Sequence, residues 1–104
     1  MIAAFSISPS GIGPSVSAAV ADAVRLVRES GLPNETNAMF TNVEGEWDEV
    51  MDLIKACVME VARTAPRVGV VIKIDHKPGV VDGLHSKVAA VERHLAAPPA
   101  ADQG

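Results

Sequence analysis

Nine residues, Arg67 to Asp75, limit what this chain can fold into more than any other stretch. Val68, Val70, Ile72 and Ile74 alternate with Gly69, Val71, Lys73 and Asp75. A period of two belongs to an extended strand, and the apolar set must be covered by something. The rest of the chain is therefore read for what pairs with this strand and what packs on it. Ile2 to Ser8 reads as a second strand, with Ala3, Phe5 and Ile7 on one face and Ala4, Ser6 and Ser8 on the other. Pro9 to Pro14 is rich in turn residues.

Two helical periods supply the cover. Val16, Ala19, Val20, Ala23, Val24 and Val27 follow helical spacing, with Gly31 and Pro33 as stop signals. Trp47, Val50, Met51, Ile54, Val58 and Val61 form a second stripe over Glu46 to Thr64, and Pro66 ends it. Glu46, Asp48 and Glu49 occupy its first turn, where the helix dipole favours carboxylates. Between the helices, Glu35 to Met39 and Thr41 to Glu44 read as two short strands turning at Phe40 and Thr41. Asp82 opens a last helix carrying Leu84, Val88, Val91 and Leu95.

The order strand, helix, two strands, helix, strand, helix predicts an α+β fold. It is a ferredoxin-like βαββαβ sandwich with an extra C-terminal helix. Residues 1–95 form one domain, and the Ala- and Pro-rich residues 96–104 a disordered tail. Both long helices cover the face of Phe5, Ile7, Val68, Val70, Ile72 and Ile74. Ala4, Ser6, Ser8, Gly69, Val71 and Lys73 are left on an uncovered face, which calls for a ligand, a partner subunit or both.

Composition narrows the function. Phe5, Phe40 and Trp47 are the only aromatic residues, and the formal charge is −4. A nucleic-acid footprint needs clustered cations, or stacking aromatics on the central strands, so nucleic acid is not expected as a partner. No apolar run approaches the roughly 20 residues of a membrane span. The start lacks the basic residues of a signal peptide, so a cytoplasmic location is expected. Cys57, alone in a helical pattern, reads as a small buried hydrophobe. His85 and His94 lie about 180° apart around a helix and His76 sits in a turn, so no metal site is expected. Gly11-Ile12-Gly13 lacks the third spaced glycine of a dinucleotide loop, and no serine sits in a nucleophile elbow.

Binding without covalent chemistry remains. Ser6 and Ser8 on the first strand, Asn37, Thr41 and Glu44 on the hairpin, and Lys73 on the last strand are the polar candidates, with Met39 and Phe40 between them. Each has an ordinary structural role: spacer, turn former, helix-start carboxylate or solvated face. As a set on neighbouring strands they describe a polar-dotted concave site.

Phe5-Ser6-Ile7-Ser8-Pro9-Ser10-Gly11-Ile12-Gly13 resembles the opening of the YkoF-like thiamine-binding family. The block from Asn37 to Met51, with Thr41-x-x-Glu44-Gly45 followed by Trp47-Asp48-Glu49-Val50-Met51, is similar to its central motif and is the specific part. Ile72 to Asp75 and Lys87 to Leu95 are similar to its last strand and closing helix. The resemblance covers roughly residues 1–95. It implies a ferredoxin-like fold, a homo-oligomer (dimer or tetramer), binding of thiamine or its hydroxymethylpyrimidine part, no cofactor and no enzyme activity. By position, Ser6, Ser8, Thr41 and Glu44 match recurrent polar positions of the family. Phe40 stands where the family usually has a small residue, and Asn42 where it usually has an apolar one. Two alternatives stay open. One is a structural or regulatory oligomer with a different or lost ligand. The other is a small enzyme using Glu44 as acid or base.

Overall fold

The computed structural model describes residues 1–79 and 82–97. The elements are β1 (Ile2–Ser10), α1 (Val16–Glu29), β2 (Asn34–Thr36), β3 (Thr41–Glu44), α2 (Trp47–Ala62), β4 (Arg67–Asp75) and α3 (Gly83–Ala96), with one 3₁₀ turn at Gly13–Ser15. The sheet order is β2-β3-β1-β4 and every neighbouring pair is antiparallel. This is the expected ferredoxin-like sandwich, with α3 as the extra helix.

Register decides which residues share a face. Ala3 stands opposite Val43 and Ile74, and Phe5 opposite Thr41 and Ile72. Ala3, Phe5 and Val43 of that row meet α1 and α2 in a core with Ala23, Val27, Val50, Ile54, Cys57 and Val61, while Ile72 and Ile74 on the edge strand stay exposed instead of being covered by the helices. The helix periods read from the sequence thus point at the expected sheet face. Gly31, at φ +81°, takes the left-handed conformation that ends α1, and the Ser30 hydroxyl donates to the Val27 carbonyl at 2.6 Å. Gly11, at φ +84°, lets β1 leave the sheet beside Pro66; a Cβ there would sit 2.6 Å from the Pro66 ring. The Cys57 thiol is fully buried and faces the Ala23 carbonyl oxygen at 3.4 Å, and burial pushes it up to about 11.

Three expectations need correction. β1 runs to Ser10, because Pro9 and Ser10 continue its pairing with Val68 and Arg67. β2 stops at Thr36 and does not reach Met39. Asn37 ends it: its side-chain oxygen accepts from the backbone N–H of Met39 at 2.9 Å and of Phe40 at 2.8 Å, and its own N–H donates to the Phe40 carbonyl. The turn therefore spans Asn37 to Phe40, an Asx-type closure. Finally, the second sheet face is not left wholly uncovered, since the start of α3 seats on it over Glu44. α3 runs through Ala96, and the rest of the expected tail, from residue 98, lies outside the described residues.

Candidate functional site

Two cavities open on opposite faces of the sheet. The first, of about 250 Å³, lies where the sheet is incomplete. β3 pairs with β1 only from Ile2 to Phe5, while β1 continues to Ser10 along β4. From Ser6 onward the β3-side edge of β1 has no strand beside it. The Asn37–Phe40 turn stands across that gap and α1 floors it with Val20, Ala23, Val24 and Val27. Phe5, Ile7, Met39, Phe40 and Thr41 complete the wall.

Every side chain around this cavity is uncharged. Thr41 is buried and opens β3 on the core face. Phe40 is half-buried at the turn, and Met39 is exposed at its tip. Asn37 spends its side-chain oxygen on the turn, which leaves the amide NH₂ as the group it can offer outward. Ser6 also borders the cavity. Strand alternation turns its hydroxyl to the other face, so its main chain is what faces inward.

The second cavity, of about 290 Å³, lies between the opposite face and α3 and is charged. Glu44, Asp75, Lys77 and Lys87 line it with Met1, Ile2, Ser86 and Ala90. Glu44 is only 7 % exposed, and its carboxylate accepts from the backbone N–H of Gly83 at 2.7 Å and of Leu84 at 3.3 Å. These are two of the unpartnered donors at the start of α3, so Glu44 acts as a cap supplied from another element. Three ion pairs surround the seat. His85 lies between Asp82 at 2.6 Å and Glu35 of β2 at 3.1 Å, and Lys87 meets Asp75 of β4. The Asp82 carboxylate, and then Glu35, hold the His85 imidazole above its usual value. The Lys87 ammonium holds the Asp75 carboxyl below the usual carboxylate range.

The sequence-predicted set therefore divides. Ser6, Asn37, Met39, Phe40 and Thr41 gather at the first cavity. Glu44 belongs to the second, on the other face. Ser8 and Lys73 border neither; they face Gly69 and Ala4 across the β1–β4 ladder. Phe5, Ile7, Val20, Val24, Val27, Thr36 and Ala38 line the first cavity without having been singled out for binding. For the α1 residues no signal separates the roles, since lining and core packing share one helical period. Among the described residues, no three His, Cys, Asp or Glu side chains gather as a metal site, and no helix is long and apolar enough to cross a membrane.

Comparison with known proteins agrees with this architecture. The crystal structure of the hypothetical protein MJ1052 from Methanocaldococcus jannaschii superposes with a TM-score of 0.79 at 34% identity, over 88% of this chain and 94% of that one. A Thermotoga maritima structure, described as that of a candidate thiamine biosynthesis/salvage protein, shares the fold with a TM-score of 0.76 at 23% identity, over 86% and 96% of the two chains. UPF0045 protein Mb1933 of Mycobacterium bovis is 52% identical over 99 residues, covering 94% of this chain and 97% of its own. The family model described as "Thiamine-binding protein" matches residues 3–92, and the chain belongs to that family.

Proposed function

We propose that the chain is a non-catalytic binding protein that takes thiamine, or its hydroxymethylpyrimidine part, in the cavity between β1, α1 and the Asn37–Phe40 turn. The observation that carries this reading is the cavity's make-up: a slot at a break in the sheet, lined by Phe5 and Phe40, polar at a few points and free of charged side chains. An aminopyrimidine is a flat ring with nitrogen acceptors and an amine donor. Phe5 and Phe40 offer it aromatic surface, and a thiazolium cation is attracted to the same rings. The Thr41 hydroxyl, the Asn37 amide NH₂ and the free main-chain edge of β1 at Ser6 are the groups for its polar rim. The same lining supplies no acid or base for proton transfer, which favours binding over turnover. Membership in a family described as thiamine-binding supports the ligand class.

In this reading Glu44 is not a ligand contact but the residue that seats α3. The protein works as a cytoplasmic homo-oligomer, and residues 1–95 act as one domain. Isothermal titration with thiamine and with hydroxymethylpyrimidine tests the reading on wild type, Phe40→Ala and Glu44→Ala. Heat of binding from at least one compound is expected. Phe40→Ala should weaken it roughly tenfold, the scale of one lost aromatic contact of about 1.5 kcal/mol. Glu44→Ala should change it less than twofold. No heat from either compound in folded protein would sink the reading, and a full loss in Glu44→Ala would move the site to the other face.

A further inference from the structure

We infer that the ligand of the first cavity carries an anionic tail, a phosphate ester on its thiazolium arm, and that a groove along the outer side of α1 takes that tail at Arg28. This rests on the reading of the cavity as a thiamine site and names the chemical form of the ligand.

Two observations meet at α1. The first is size. At about 250 Å³ the cavity falls below the roughly 300–1,000 Å³ of a site that encloses a drug-sized ligand, so a two-ring molecule seated by its pyrimidine extends out of it. The second is continuity. An open groove of about 730 Å³ follows the flank of α1 from Val16 to Glu29, and Val20 and Val24 line both it and the cavity. What leaves the cavity over those two valines enters the groove.

The cavity lining is uncharged, whereas the groove carries Arg25, Arg28 and Glu29. Residues four apart on a helix are surface neighbours, with Cβ atoms about 5–6 Å apart, so Arg28 stands one turn beyond Val24 on the same strip. Arg25 is already engaged: its guanidinium donates to the Asp22 carboxylate at 2.8 Å. Arg28 is exposed and makes no ion pair among the described residues. The helix dipole favours a cation in this last turn and opposes an anion there, and the formal charge of −4 opposes one from a distance. A phosphate therefore needs direct contact with a guanidinium, and Arg28 offers a planar pair of N–H donors matched to phosphate oxygens.

The chemistry of the ligand agrees. With the pyrimidine against Phe5 and Phe40, the thiazolium and its hydroxyethyl arm lie toward the mouth, and that hydroxyl is where a phosphate ester forms. The two charges of the ester then fall in different surroundings. The cationic ring keeps to the uncharged wall, and the phosphate lies outside it, at the guanidinium.

Isothermal titration at low ionic strength, with thiamine and with thiamine monophosphate on wild type and Arg28→Gln, tests this. The monophosphate should bind wild type at least tenfold more tightly than thiamine does, and added salt should shrink that gap. Arg28→Gln should remove most of the gap while the affinity for thiamine changes less than twofold. Arg28 is exposed, so the circular dichroism spectrum of the variant should stay that of wild type. If neither compound binds folded wild type, the thiamine reading of the cavity falls, and the tail with it. If thiamine binds but the monophosphate binds no more tightly, or the gap survives Arg28→Gln intact, the tail at Arg28 alone is overturned.

Discussion

The two cavities are of similar size and stand on one sheet, yet they are built by different physics. The first is a defect in the sheet: β3 begins at Thr41 opposite Phe5, so β1 from Ser6 onward lacks a neighbour on that side, and a turn held by Asn37 stands off from the free edge. Phe5, Ala23 and Val27 of its wall are core side chains, so that side of it is held by the same packing that holds the fold. The second is a roof: α3 is laid over a carboxylate and held by charges. Beyond Leu84 its apolar stripe, Val88, Val91 and Leu95, is exposed, so little hydrophobic burial secures it. A cavity made by packing is rigid and insensitive to pH. A cavity made by ion pairs and main-chain caps is neither.

Three substitutions or conditions press on that difference, beginning with the largest effect. Phe5 is 3% exposed and serves both the core and the wall of the first cavity. Phe5→Ala should cost about 3–5 kcal/mol in chemical denaturation, the range for emptying an aromatic core site. A cost below about 1 kcal/mol would mean that the first cavity is not held by the core. Glu44→Ala should cost less, about 1.5–3 kcal/mol, the range for hydrogen bonds to a charged group. Its loss should appear in α3: amide exchange of Leu84 to Leu95 should accelerate while that of Ala23 to Val27 stays slow. Equal acceleration in both would show that α3 is coupled to the core after all.

The smallest effect is the response to pH, and it should be confined to α3. His85 has a raised folded value, so its contribution is full below the ordinary 6.5 and is lost as pH rises through that higher value. Asp75 has a lowered one, so its contribution is present above the ordinary 3.8 and is lost as pH falls through that lower value. Exchange protection of α3 should therefore be greatest between these limits. A flat profile in α3, or a matching one in α1, would erase the contrast. Both groups are exposed, so added salt should shrink the effect.

Much of the fold is legible because it rests on period. Arg67 to Asp75 alternates, with Val71 the one large apolar residue on the other face, and appears as a strand with those bounds. The stripe from Trp47 to Val61 and the Pro66 stop delimit α2 to within two residues. The hairpin is less legible, because β2 is ended by one side chain folding back on the main chain, which a propensity for strand does not register. The division of the candidate site was available in principle. Thr41 and Glu44 are three apart on one strand, an odd separation, and a period of two sends them to opposite faces. What no pattern reveals is the partner of Glu44. Its oxygens are met by main-chain N–H groups of Gly83 and Leu84, and every residue but proline carries one of those.

The buried thiol of Cys57 makes the molecule its own clock. Burial pushes the thiol up to about 11, so it stays protonated at neutral pH, and none of it meets solvent. Cys57 reaches the Ala23 carbonyl across the contact between α2 and α1, so capture by a thiol reagent waits for those helices to part. The rate of capture then counts how often the two layers separate, and a ligand lodged against Val24 and Val27 should slow the count without touching the sulfur.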